Sequence, residues 1–217
     1  MIRAVIFDFD NTLGDRERYA YDMYTEIVER VCPEKTELEK EAILQACMTH
    51  DQYGDSNKNY VRDRIYKQFG VYLHEDLNSY WEKNLCRYAM LYDGAKEMLE
   101  RLKKDYKIAV ITNGDAEGQR KKLENSGLIG LLDGYVVSGA IGVRKPERGI
   151  FDHMAEELGV KNEECVYVGD VFEYDVCGAL NAGMKAVWMW PFGNRHHKVS
   201  VPRIEKITDL EELLKTL

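Results

Sequence analysis

The sequence predicts an α/β protein: a doubly wound, mainly parallel sheet interrupted after its first strand by an all-helical insertion. Two observations predict it. Short apolar runs rich in β-branched residues recur and end in polar groups: Ala4-Val5-Ile6-Phe7 into Asp8, Ile108-Ala109-Val110-Ile111 into Thr112, Tyr135-Val136-Val137 into Ser138, and Cys165-Val166-Tyr167-Val168 into Gly169-Asp170. Helix-period stretches lie between them, such as Ala95, Met98, Leu99 and Leu102, and later Phe151, Met154 and Leu158. Continuous apolar runs mark strands buried on both faces, and alternation of strand with helix is the pattern of a parallel sheet.

The first run delivers Asp8-Phe9-Asp10-Asn11-Thr12. In open α/β sheets the carboxyl edge is where ligands bind. Two carboxylates one residue apart crowd negative charge there, and buried carboxylates need a cation or a proton. A hard divalent metal beside a carboxylate that can attack an electrophile is one reading; a strand entering an Asp/Asn-rich turn is the other.

From Gly14 to Tyr92 the pattern is helical. Tyr19 to Val31 carries Tyr24, Ile27, Val28 and Val31; Thr36 and Glu39 form a capping-box pattern ahead of Ile43, Leu44 and Cys47; Tyr60 to Phe69 and Asp76 to Tyr88 follow, separated by Gly70. Such a stretch exceeds any ordinary connection, so residues 14–92 are expected to form a lobe of their own, and 1–13 with 93–217 the sheet domain. Gly14 and Gly94 are placed to give backbone freedom at the two crossings. Ten of the fourteen tyrosines fall in this stretch and are expected mostly to pack a small bundle with their hydroxyls at the surface.

Beyond it, Thr112-Asn113-Gly114, Arg144-Lys145-Pro146, and Gly169-Asp170 with Asp175 follow strand-like runs. A helix start after Thr112 suits backbone N–H groups aimed at an anion, and Pro146 suits the first turn of a helix with Lys145 at its mouth. Basic pairs such as Lys103-Lys104 and Lys121-Lys122 read as solvated helix faces. Trp188 and Trp190 alternate as strand residues facing one side, and His196-His197 falls in a surface loop after the last strand.

The 217 residues, 31% charged and 45% hydrophobic, have ordinary globular composition. A net charge of -8 argues against a nucleic-acid polymer as partner. The five cysteines lack CxxC spacing and fit reduced thiols. No signal peptide or membrane span is visible, so a cytoplasmic protein with no membrane partner is expected. The sequence leaves monomer and homodimer open.

In this order and context, Asp8-Phe9-Asp10-Asn11-Thr12, Thr112-Asn113-Gly114, Arg144-Lys145-Pro146 and Gly169-Asp170 with Asp175 resemble the motifs of the haloacid dehalogenase-like hydrolase superfamily. The insertion resembles the C1-type helical cap of a phosphatase subgroup. The resemblance implies a Rossmann-like core and a Mg²⁺-dependent phosphatase acting on a small phosphomonoester, of the nucleoside monophosphate or sugar phosphate class. Asp8 would be the nucleophile forming an aspartyl phosphate, and Asp10 the general acid and base. Thr112 and the backbone N–H of Asn113 would hold phosphoryl oxygens, and Lys145 would neutralise charge on both partners. Asp170 would bind Mg²⁺ with the Asp8 carboxylate and the Asp10 backbone carbonyl, supported by Asp175 through a metal-bound water or through Lys145. Val171 and Asp93 depart from the family pattern, which more often has a small polar residue and a proline there. Asp10 disfavours a dehalogenase or a phosphonate-cleaving relative. A phosphosugar mutase, or a non-catalytic phosphate-binding or signalling protein, stays open as an alternative.

Overall fold

In the computed structural model all residues except Asn194, Arg195 and His197 are described; the expectation for the His196-His197 pair therefore lies partly outside the described residues. The chain forms two compact units, Met1–Asp15 with Leu91–Leu217, and Arg16–Met90. Strand β1 (Ala4–Phe7) is followed by helices α1 (Arg16–Val31), α2 (Glu37–Asp51), α3 (Lys58–Phe69) and α4 (Leu77–Asn84). Then come α5 (Ala95–Leu102), β2 (Lys107–Thr112), α6 (Ala116–Asn125), β3 (Gly134–Val137), α7 (Ser138–Ile141) and α8 (Arg148–Leu158). The chain closes with β4 (Cys165–Gly169), α9 (Cys177–Ala182), β5 (Lys185–Met189), β6 (Arg203–Ile204) and α10 (Leu210–Leu214).

In the first unit the six strands lie in the order β3-β2-β1-β4-β5-β6. Every pairing is parallel, so the sheet is wholly rather than mainly parallel among the described residues. The chain moves from β1 to β2 and β3 on one side, then returns to β4 on the other. β1 is thus the point where strand order reverses, the place in such sheets where a crevice opens at the carboxyl edge. Both faces are covered, as the apolar runs require. Ala4, Ile6, Ala109, Ile111 and Tyr167 share a core with Phe151 and Met154 of α8 and Ala179 of α9. Their neighbours Val5, Phe7, Val110, Val166 and Val168, which point the other way, are equally buried.

Trp188 and Trp190 do share a face, their rings 5.6 Å apart. β5 is not the last strand, however, because the two-residue β6 pairs with it through Trp188–Arg203 and Met189–Ile204. Pro146 also departs from expectation. It precedes Glu147, the N-cap of α8, and is joined to Lys145 by a cis peptide bond rather than sitting in the helix's first turn. At the crossings, Gly94 adopts a φ of 78°. Gly14 does not need the left-handed region; a side chain there would instead meet the Phe9 ring at 3.0 Å.

The second unit has its own core. α1 buries Tyr19, Met23, Tyr24, Ile27 and Val28 at helical spacing, against Ile43, Cys47, Val61, Ile65 and Trp81. The Thr36–Glu39 capping box forms as expected. Its tyrosines divide: Tyr53, Tyr60, Tyr66 and Tyr72 are exposed, whereas Tyr19 and Tyr24 are fully buried. The Tyr24 hydroxyl donates to Asp51 at 3.2 Å. Asp51 is buried between Arg16 at 2.6 Å and Lys58 at 2.7 Å. Burial opposes its charge, but the two cations hold its carboxyl down at about 2.

Candidate active site

The first unit's carboxyl edge gathers most of the residues singled out in the sequence. Asp8 continues the β1–β4 ladder, its N–H donating to the Val168 carbonyl at 2.8 Å. Beyond it the chain turns tightly: the Phe9 carbonyl accepts from the N–H groups of Thr12, Leu13 and Gly14 at 3.3, 3.0 and 2.8 Å. This turn needs a left-handed residue, and Asn11 supplies it with φ 60°, a conformation asparagine tolerates better than most side chains. Thr112, buried, ends the adjacent strand β2, and Asp170 directly follows β4 on the other side.

Lys145 joins these strand ends. It is only 3% exposed, and its Nζ donates to Asp8 Oδ1 at 2.7 Å, Asp175 Oδ1 at 2.6 Å and the Tyr167 hydroxyl at 3.0 Å. Its backbone is fixed as well, because the Asn113 side chain accepts from Lys145 N at 2.9 Å and donates to Lys145 O at 3.1 Å. Burial alone would favour the neutral amine, but the charges of Asp175 and Asp8 overcome it and push the ammonium's pKa up.

The carboxylates outnumber that ammonium. Burial pushes Asp8 up to about 7 despite Lys145, with the charges of Asp175 and Asp10 adding to the rise. Asp170 is raised well above the usual range, by burial first and then by Asp8 and Asp175. Ligand oxygens of Asp8, Asp170 and Asp175 all come within 4.8 Å of one another. Three buried carboxylates facing a single lysine form the donor set that suits a hard divalent cation, and added positive charge would relieve the strain that raises these groups. The residues present therefore fit a metal such as Mg²⁺.

Asp10 has partners of its own. Its Oδ2 accepts from Gln119 Nε2 at 3.0 Å, and Lys122 Nζ donates to Oδ1 at 2.9 Å and Oδ2 at 2.7 Å. This corrects the expectation for Lys122: it is no solvated helix residue but 6% exposed and paired to Asp10. Its neighbour Lys121 does face outward, toward Glu117 at 3.2 Å.

Asp175 is fully buried, and its two oxygens are used separately. Oδ1 accepts from Lys145 and, at 3.1 Å, from the Tyr167 hydroxyl, while Oδ2 accepts from Val171 N–H at 2.9 Å. The Ile111 carbonyl, at 3.0 Å, is a second acceptor within reach of that same single Tyr167 O–H, and Trp188 Nε1 donates to the Asp170 carbonyl at 2.9 Å. Sequence reading missed Gln119, Lys122, Tyr167 and Trp188. A signal for the first two was present in α6, whose sequence AEGQRKKLEN has one large apolar residue and so must complete its buried face with polar ones.

Comparison with known proteins places the chain in a family. Residues 5–189 match the family profile described as haloacid dehalogenase-like hydrolase. The chain is 32% identical over 212 residues to the mouse protein named N-acylneuraminate-9-phosphatase, covering 87% of this chain and 82% of that one. It is 35% identical over 128 residues to pyrimidine 5′-nucleotidase YjjG of Escherichia coli strain K12, covering 56% and 55%. Among solved structures, a HAD phosphatase from Thermococcus onnurineus superposes with a TM-score of 0.67 at 27% identity, over 98% of each chain. The wholly parallel sheet, the strand-end carboxylates and these matches together establish that the chain belongs to the haloacid dehalogenase-like hydrolase family.

Proposed function

We propose that the protein is a Mg²⁺-dependent phosphatase that hydrolyses a small phosphomonoester through an aspartyl phosphate on Asp8. The observation that carries this reading is the division of the first motif: Asp8 lies on Lys145 within the carboxylate group, while Asp10 is held by Lys122 and Gln119. Two carboxylates in different settings suit two roles, one nucleophilic and one acid–base.

Asp8, Asp170 and the Asp10 backbone carbonyl would hold Mg²⁺, with Asp175 supporting them. Bound there, the ion supplies charge neutralisation for an anionic nucleophile meeting an anionic phosphoryl group. In the first step an Asp8 oxygen bonds to phosphorus, the bond to the leaving oxygen breaks, and Asp10 gives that oxygen its proton. In the second, Asp10 takes a proton from water as the water oxygen displaces Asp8. Lys145 offsets charge on Asp8 and the transferring group, and Thr112 with the Asn113 N–H holds phosphoryl oxygens. The unit Arg16–Met90 is proposed to act as the cap that selects the leaving group.

Relatives named for an acylneuraminate 9-phosphate and for pyrimidine nucleotides support a compact organic phosphate. Their names as phosphatase and nucleotidase favour release to water over return to a sugar, as in a mutase. Phosphate release across a panel of sugar phosphates and nucleoside monophosphates tests the reading. Turnover should vanish in Asp8→Asn and with a chelator. Near-wild-type release by Asp8→Asn would overturn it.

A further inference from the structure

We propose that Lys122 and Gln119 are positioning residues that fix the ionised Asp10 carboxylate for the step in which it takes a proton from the attacking water. The proposal rests on the phosphatase reading above and extends it to residues outside the four motifs. Both side chains project from α6, three residues apart and hence on one face of the helix. Both are buried, at 6% and 8% exposure. Lys122 Nζ spans the two Asp10 oxygens, and Gln119 Nε2 bonds Oδ2 at 3.0 Å while also reaching the Asn113 carbonyl at 3.3 Å. Oδ2 thus accepts from both residues and Oδ1 from Lys122, which fixes the carboxylate's plane and makes its two oxygens unlike.

Burying and ordering a lysine is costly in desolvation and rotamer freedom. The helix could have met Asp10 with a smaller polar group if only packing were required. The cradle is built from several sides: Asp115 caps α6 by accepting from Gly118 N–H at 2.8 Å, and Gly114, at φ 148°, leaves room that a Cβ would deny to Gln119, 2.9 Å away. Each carboxylate of the first motif consequently has its own lysine from a different element, Lys145 for Asp8 and Lys122 for Asp10. Proton transfer demands a base within hydrogen-bond reach and correctly aimed, and a misplacement of about 1 Å can cost 10²-fold in rate.

The test uses p-nitrophenyl phosphate, whose aryl oxide leaves without needing a proton, whereas breakdown of the phosphoenzyme still needs a base. In Lys122→Met, nitrophenolate should appear as a burst stoichiometric with enzyme, followed by a steady state slowed about 10- to 100-fold, with KM falling alongside kcat because breakdown of the phosphoenzyme has become limiting. Asp10→Asn should show the same pattern more severely. Lys122→Arg should restore part of the steady-state rate, and Gln119→Met should give a milder burst. Should Lys122→Met not fold, Lys122→Arg and Gln119→Met carry the comparison. A wild-type steady state in the Lys122 and Gln119 variants, or a raised KM at unchanged kcat, would overturn the positioning role while Asp8→Asn stayed inactive. Activity in Asp8→Asn would instead overturn the underlying reading, and this proposal with it.

Discussion

Lys145 and Asp175 meet at 2.6 Å between Nζ and Oδ1 with neither side chain more than 3% exposed, and the same ammonium reaches Asp8 at 2.7 Å. A buried pair of this kind is weak evidence for stability, since desolvation offsets most of the attraction. It orients instead. Asp175, anchored on Val171 N–H, fixes where Lys145 can stand, and Lys145 then meets the carboxylate at the end of β1. Asp175→Asn loses the charge and also one acceptor, since its amide nitrogen can accept neither from Lys145 nor from Val171 N–H, and should lower kcat about tenfold or more. Lys145→Met removes the cation itself, and a fall of about 10²–10³-fold is expected, as for other groups that stabilise transition-state charge. Steady-state kinetics on both variants checks the order; a larger loss in Asp175→Asn would contradict it.

The raised Asp8 carboxyl makes the metal-free protein sensitive to pH. Its folded value of about 7 lies above the ordinary 3.8, so the folded state keeps a proton that the unfolded chain has already released. The stabilisation from that proton is complete below about 4 and is lost as pH rises through about 7. With a chelator present, Tm should therefore fall between pH 5 and pH 8. If Mg²⁺ binds there as proposed, it binds the ionised carboxylates, so its stabilising increment should be larger at pH 8 than at pH 5. Thermal scans at both pH values with and without Mg²⁺ measure this, and an equal or reversed increment would refute it.

The fold was legible in the sequence because its strands are continuous apolar runs that alternate with helical periodicity, and parallel pairing follows from that alternation. Asp8 and Asp170 were legible because each directly follows a strand in a recognisable motif, and Lys145 and Asp175 because they stand in motifs a short way beyond one. Lys122 was legible only in part. The scarcity of apolar residues in α6 shows that polar ones complete its buried face, but not what they meet there; that is decided by Asp10, which follows a strand more than a hundred residues earlier. Tyr167 was hidden differently, inside a run of valines where its ring satisfies the core against Phe151 and only its hydroxyl reaches the site. Pro146 misled because its fixed φ suits a helix start, while the chain uses it one step earlier, ahead of the N-cap.

In the helical unit, Asp51 pairs with both Arg16 and Lys58 in the buried group described above. Asp51→Ala leaves two cations without it and should cost about 3–5 kcal/mol, the usual penalty for breaking a buried pair from one side. Its acid response is opposite in sign to that of Asp8. A carboxyl held at about 2 contributes stability that is present above the ordinary 3.8 and lost as pH falls through about 2. Urea denaturation of Asp51→Ala at neutral pH is the measurement, and a loss below about 1 kcal/mol would mean that the cations relax to other partners.

Gly169, the last residue of β4, gives the most local test of how the site is built. A Cβ added there would fall 2.4 Å from Asp175 Cγ and 2.5 Å from its Cβ. The clash cannot be relieved by rotating a flexible side-chain end, since Asp175 is held at one oxygen by Lys145 and at the other by Val171 N–H. Its backbone is fixed too, in the helical turn Phe172–Val176. Gly169→Ala should therefore push Asp175 off Lys145, costing about 1–3 kcal/mol as other overpacked sites do, and should weaken Mg²⁺ binding. Gly159→Ala serves as the control: at φ 65° it strains the end of α8, but its Cβ meets nothing within 4 Å, so it should lose stability without losing metal affinity. Denaturation and Mg²⁺ titration of the two variants separate strain at a helix end from displacement of Asp175. A folded Gly169→Ala protein that bound Mg²⁺ like wild type would show that Asp175 can stand elsewhere without consequence for the metal.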